Sequence, residues 1–417
     1  MFKKILCCVM IMVLLILTAS CNSEPREGSR NSDDRREQTQ RPNGERTGQM
    51  QTTQRPADSN PESRTSYEAS NPSTSNPNSR PTPEPLSQVE LVRYEGMVYH
   101  IFYHFLIAFP EIAFEVPYGR DLDRDTITPT EFWRSLEELY RNNFVLVNIN
   151  STVNICENGG VSRKPYLMLP RGTRPLVLSF DDINYYSANL GMGTVDKIVL
   201  DDTGRLATST RMPDGSIYIS RENCVIPLLE KFVEQHPAFS PFGAMGTLAL
   251  TGFDGILGYR TQASSPNRES EITAVKPIVE ALLQNGWNFA SHSFGHGHMN
   301  ARSLEALQQD TRRWDEEVRP LVGDTIVYVF PFGEYPADHR DPRFQYLLDH
   351  GFRIMCGVGV RPHFVNHNFN SPYVFMDRAN IDGFTLRNRA DMFNRYFGID
   401  VSRIYNPSER VGSALGR

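Results

Sequence analysis

The sequence predicts an α/β fold with enough parallel strands to close a barrel. Three observations carry this. Short apolar runs alternate with segments of helical periodicity, the sequence form of a parallel sheet with crossover helices. About seven such runs lie between Tyr99 and Cys356, a number with which a barrel can close. The run Leu176-Val177-Leu178-Ser179-Phe180 ends abruptly in the adjacent carboxylates Asp181 and Asp182. That is the signature of a buried strand opening at its C-terminal end into a loop, where parallel α/β folds collect their chemistry.

The chain has 417 residues and a formal charge of −6, but its N-terminal stretch adds nothing to a core. Residues 1–20 pair basic Lys3 and Lys4 with the apolar run Ile5 to Leu17, which reads as an export signal. Thr18-Ala19-Ser20-Cys21 resembles a bacterial lipoprotein cleavage site, with Thr18 where a Leu is usual. The expectation is a membrane anchor through lipidated Cys21 and an extracytoplasmic location. Residues 21–90 are rich in Ser, Thr, Asn, Pro, Arg, Glu and Gln and too poor in apolar surface to offset chain entropy, so a disordered spacer is expected. Its charges alternate in sign instead of forming a basic block, which argues against nucleic acid as a partner. Beyond Cys21 only Cys156, Cys224 and Cys356 remain, with no C-x-x-C pair. A thiolate metal site is therefore not expected; at most one disulfide can form, and pairing of Cys156 with Cys224 stays open.

The globular part spans residues 91–417. Tyr99 to Ala108 predicts the first strand, with His100 and His104 read as structural or substrate-side residues. Thr128-Pro129-Thr130-Glu131 carries a helix start, in which Thr128 caps, Pro129 suits the first turn and Glu131 completes a capping box. Phe132, Leu136, Leu139 and Tyr140 form one stripe of that helix, and Phe144 to Ile149 predicts the next strand. Residues 183–221 look inserted, with turns at Asp202-Thr203-Gly204 and Pro213-Asp214-Gly215 suited to antiparallel hairpins. This insertion is either a wall of a substrate groove or a surface embellishment. The alternation then resumes: helix from Val225, strand Gly246 to Leu250, helix Ile272 to Gln284, and strand Trp287 to Ala290. A helix capped by Ser303 follows, then strand Thr325 to Phe330, helix Arg343 to His350 and strand Phe352 to Cys356.

Adjacent acids repel unless a cation lies beside them, and Ser291-His292-Ser293-Phe294-Gly295-His296, just after another apolar run, offers two imidazoles. Two imidazoles and one carboxylate make a metal site, which leaves the second carboxylate free to act as a base. Ser-Phe-Asp-Asp, followed by His-Ser-x-x-His and then by Pro-Phe-Gly after a further strand, resembles the polysaccharide deacetylase family with its NodB homology domain. The resemblance implies a distorted (β/α) barrel and metal-dependent removal of acetyl groups from N-acetylated, sometimes O-acetylated, sugars of a polysaccharide. It implies Asp181 as catalytic base and Asp182, His292 and His296 as ligands of a divalent metal, with zinc favoured by the donor set. In that scheme the metal polarises the acetyl carbonyl and acidifies its bound water, whose proton Asp181 takes. Pro331, Phe332 and Gly333 are then expected on the substrate side.

The sequence departs from the family pattern in places. Where the third motif has an Arg that orients the catalytic Asp, this chain has Val329; Arg378 either supplies that guanidinium from a late strand or pairs with Asp377. Leu348-Asp349-His350 looks like the motif that provides a general acid but comes too early in the fold, which leaves His363 and His367 as substitutes. His298 offers an alternative ligand beside His296. The competing readings are a non-catalytic glycan-binding barrel and an O-acetyl carbohydrate esterase.

Overall fold

A computed structural model describes residues 89–410 apart from 117, 158, 360 and 365–371. The leader, Cys21, the spacer and His367 lie outside the described residues. Seven parallel strands close a barrel: β1 (Tyr99–Tyr103), β2 (Arg174–Asp181), β3 (Thr247–Leu250), β4 (Asn288–Ser291), β5 (Val327–Val329), β6 (Ile354–Val358) and β7 (Val374–Asn380). Each pairs in parallel with the next, and β7 closes on β1 through Ala379 opposite Ile101. The main helices packed around it are α1 (Pro129–Arg141), α2 (Val225–Gln235), α3 (Arg268–Gln284), α4 (Leu304–Glu317), α5 (Pro342–Asp349) and α6 (Ala390–Phe397).

Strand periodicity explains how the barrel is filled. Along β2, Leu176, Leu178 and Phe180 belong to the outer core under the helices, whereas Val177 belongs to the inner one. Because side chains alternate, Ser179 and Asp181 share the inward face with Val177. On β7, Val374 and Met376 lie in the inner core and Arg378 follows on the same face. The barrel interior is thus apolar at its base and turns polar at the C-terminal ends of the strands. There Ser179, Asp181 and Arg378 are all buried.

Local chemistry fixes the helix starts as expected. The Thr128 hydroxyl accepts from Glu131 N, and the Glu131 carboxylate accepts from Thr128 N, closing the capping box on α1. Ser303 caps α4 by accepting from Ala306 N.

Some expectations change. The first strand stops at Tyr103 instead of Ala108, because the chain leaves the barrel wall there. The strand predicted from Phe144 to Ile149 is limited to Phe144–Leu146 and lies outside the barrel, paired with the start of β2. Asn148 then caps a 3₁₀ turn over Ile149–Thr152. Two short antiparallel pairs were not foreseen: Leu91–Tyr94 with Leu167–Pro170, and Val153–Ile155 with Val161–Arg163. At three or four residues each, they are too short for alternation to register.

The insertion folds as expected into a three-stranded antiparallel sheet, Lys197–Leu200, Leu206–Arg211 and Ile217–Ser220. Gly204 and Gly215, both with positive φ, make its turns. Its strands pack over α2 and α3. The thiols of Cys156, Cys224 and Cys356 are free. Burial pushes Cys224 up to about 11 and Cys356 up to about 12, which leaves both as inert core thiols.

Candidate metal and hydrolytic site

At the C-terminal end of the barrel lies a cavity of about 600 Å³ lined by His104, Asp181, Asp182, His292, His296, Phe332 and Arg378, among others. Each reaches it because a barrel strand ends there. Asp181 is the last residue of β2 and Asp182 the first beyond it; His292 directly follows β4; His104 directly follows β1. The two acids diverge because Asp182 turns into the left-handed region, at φ 59°. Ser293 at φ 59° and His296 at φ 49° do the same in the histidine loop. Such non-glycine conformations cost on the order of 1–3 kcal/mol each and tend to gather at functional sites. The loop is tied from behind by Asp310 of α4, whose carboxylate accepts from Phe294 N at 2.7 Å and Gly295 N at 2.9 Å.

Ligand atoms of Asp182, His292 and His296 all lie within 4.8 Å of one another. The orientation of each suits a cation. His292 Nδ1 is 2.9 Å from the Val329 carbonyl, which fixes that nitrogen as donor and leaves Nε2 with a lone pair toward the cavity. Asp182 Oδ1 accepts from the Tyr186 hydroxyl at 2.6 Å, while Oδ2 sits 3.5 Å from His296 Nε2. Tyr186 is held in turn by Thr251 at 2.9 Å. Burial lowers the pKa of His296, which favours the neutral, ligating imidazole, although Asp182 works against that shift. Three N/O donors, two of them steadied from behind, fit a catalytic divalent site with open positions. His298 points elsewhere: it bonds Glu334 at 3.0 Å and stacks on Phe332.

Asp181 lies beside this triad in a different setting. Arg378 grips it with two parallel bonds, Nη1 to Oδ1 at 2.7 Å and Nη2 to Oδ2 at 2.8 Å. The guanidinium is itself fixed by Ser179 Oγ at 3.1 Å, the Gly357 carbonyl at 3.2 Å and the face of Phe102. Burial pushes the Asp181 carboxyl up, but Arg378 and then His292 outweigh it and hold the group below the usual carboxylate range. His100 lies beneath, its Nε2 2.8 Å from Ser179 Oγ; burial, reinforced by Arg378, keeps it neutral. Asp377, on the opposite face of β7, is not the partner of Arg378.

Phe332 and Gly333 line the cavity, whereas Pro331 is buried and does not. The lining includes none of residues 183–221; its side wall comes instead from Tyr118 to Thr126. His350 pairs with Asp315 at 2.9 Å, away from the cavity, and His363 does not line it. Sequence reasoning missed Tyr186 and gave His104 no specific role. The signal for His104 was present: a polar residue at the C-terminal end of a barrel strand, the same one that marked Asp181.

Fold and site define an α/β barrel with a carboxylate–histidine centre at the C-terminal mouth. No family model matches the chain, and no curated protein matches it in sequence. Among solved structures, the chain is similar to the Streptococcus pyogenes deacetylase PplD in complex with acetate, at 12% identity and a TM-score of 0.35, over 70% of this chain and 94% of that one. It is also similar to the deacetylase domain of BpsB from Bordetella bronchiseptica, at 14% identity and a TM-score of 0.28, over 51% of this chain and 73% of that one. No helix among the described residues is long and apolar enough to cross a membrane.

Proposed function

We propose that this chain is a metal-dependent hydrolase that removes acetyl groups from N-acetylated sugars of a cell-wall or exopolysaccharide polymer. The observation that carries the reading is the pairing of a three-ligand cluster, Asp182, His292 and His296, with a separately held carboxylate, Asp181, in one cavity. A purely structural metal site has no use for that fourth group. A divalent cation, zinc by donor type, would be held by Asp182, His292 and His296 and would supply Lewis acidity to the acetyl carbonyl and to a water. Asp181 receives the proton of the attacking water on the face not occupied by Arg378, and Arg378 fixes the plane of that carboxylate. His104, the remaining imidazole lining the cavity, is the candidate to protonate the departing amine. It lines the same cavity as Asp181 and His296. Exposed Tyr118 and Phe332 flank the cavity, and aromatic faces at an open mouth suit a sugar chain better than a small amide. The expected leader and lipidated Cys21 would hold this activity at the outer face of a bacterial membrane.

A second reading, O-acetyl ester hydrolysis, is favoured by one observation. A carboxylate doubly bonded to Arg378 is a weak proton acceptor, and an alkoxide can leave without the protonation that an amide nitrogen requires. Elemental analysis of the full-length protein tests the metal first: about one equivalent of a transition metal is expected, lost in a His292→Ala/His296→Ala double variant. Acetate release from N- and O-acetylated oligosaccharides, with Asp181→Asn as control, then separates amide from ester. Absence of bound metal, even after Zn²⁺ is added, would overturn the catalytic reading and leave a glycan-binding barrel.

A further inference from the structure

The catalytic cavity continues into a second one of about 710 Å³, sharing Val358, Arg378, Asn380 and Thr385 with it. The charges change along the way. Around the triad the lining is acidic, with Asp121, Asp125, Asp181 and Asp182 against Arg124 and Arg378. The second arm brings Arg361, Arg389 and Arg395 together against the single carboxylate of Asp391. Among the described residues neither Arg389 nor Arg395 forms an ion pair; Arg361 faces Asp377, whose carboxyl is raised by burial in spite of it. This runs against the balance of the whole chain, in which 49 acids outnumber 43 Lys and Arg. These three exposed guanidinium groups make one cationic patch on the cleft, and their planar forks match carboxylate and phosphate oxygens. The cleft also holds exposed Phe384, an apolar face on which a sugar ring can rest, while the Tyr396 ring carries the Arg395 guanidinium at 5.6 Å.

Resting on the deacetylase reading, we infer that this arm is an anion subsite. It takes a sugar unit bearing a carboxylate or a phosphate, a neighbour of the acetylated unit on the same polymer. The enzyme therefore selects an acidic acetylated polysaccharide over a neutral one.

The test is calorimetric titration of the full-length protein with three oligosaccharides of equal length. One is neutral N-acetylglucosamine tetramer, one alternates N-acetylglucosamine with glucuronate, and one carries a phosphate ester on the unit next to an N-acetylglucosamine. At low salt at least one acidic oligomer is expected to bind about two- to fivefold tighter than the neutral one, the range for an exposed ion pair. The preference falls as salt is raised to shorten the screening length. The stronger of the two acidic ligands identifies the anion. Arg389→Gln/Arg395→Gln removes the preference and Arg389→Lys/Arg395→Lys restores part of it. Arg171→Gln/Lys276→Gln, with the same change in net charge outside this cleft, retains it. Equal binding of neutral and acidic oligomers, or a preference that survives Arg389→Gln/Arg395→Gln, overturns the inference. Acetate is assayed separately on the same ligands: selective binding without acetate release refutes the deacetylase reading and leaves the anion subsite standing, while acetate release without selectivity does the reverse.

Discussion

Replacing Arg378 by Met removes one half of a buried ion pair and leaves Asp181 alone in the barrel. Both side chains are almost wholly enclosed, at 1% and 3% exposure. At a contact of about 3 Å and an effective dielectric near 20 their attraction is roughly 5 kcal/mol, against a desolvation cost of several kcal/mol per ion. Breaking such a pair from one side typically costs about 3–5 kcal/mol. The pH dependence gives the sharper test, because it changes sign. In the native protein the Asp181 pKa is depressed, so its contribution is present above the unfolded value of about 3.9 and is lost as pH falls toward the folded value. In Arg378→Met the cation is gone and burial, the largest influence on the group, raises the pKa. The folded state then binds a proton that the unfolded state does not, and stability falls by about 1.4 kcal/mol per pH unit above about 3.9 until the raised pKa is passed. Denaturant unfolding of the chelator-treated, metal-free protein at several pH values between 4 and 8 is the assay. Arg378→Met is expected to regain stability on acidification, and Asp181→Asn/Arg378→Met to lose this dependence and recover part of the deficit. A single variant that loses less than about 1 kcal/mol, or whose pH profile parallels that of the native protein, would refute a carboxylate governed by Arg378.

Two further outcomes follow from the site and its wall. Tyr186→Phe removes the hydroxyl that accompanies Asp182 Oδ1 at 2.6 Å, and metal affinity read by chelator competition should drop about 10- to 100-fold; unchanged affinity would mean that Tyr186 does not orient a ligand. Arg410→Met strips Asp123 and Glu131 of a buried partner held at 2.7 and 2.5 Å, and should cost about 3–5 kcal/mol of stability. Because Asp123 belongs to the Gly119–Asp125 wall of the cavity, KM for the acetylated polymer should rise more than kcat falls, which steady-state kinetics resolves.

How far the site was legible depends on whether a function rests on a side chain or on its neighbours. Asp181 and Asp182 stood out because an apolar run with a two-residue period must put alternate residues inward, and acids at its end have no other reason to be there. His292 and His296 stood out for the same reason at the end of β4. That Val329 stands where the resembled motif carries an Arg was equally visible, but the source of a guanidinium for Asp181 was not. Arg378 lies 197 residues from Asp181 in sequence, and nothing local says whether it points into the barrel or pairs with Asp377 beside it. Closure decides: β7 meets β1, β1 meets β2, and the inward face that carries Val374 and Met376 brings Arg378 to Asp181 across β1. Val329 then serves through its backbone, as the carbonyl that holds His292 Nδ1, a task any residue type can perform and that sequence does not register. A guanidinium on β7 serves a carboxylate on β2 because a closed ring of parallel strands aims every strand end at the same few ångströms of space. The same convergence brings His104 to the cavity that the histidine loop lines and lets the cationic arm around Arg389 and Arg395 open from the acidic centre.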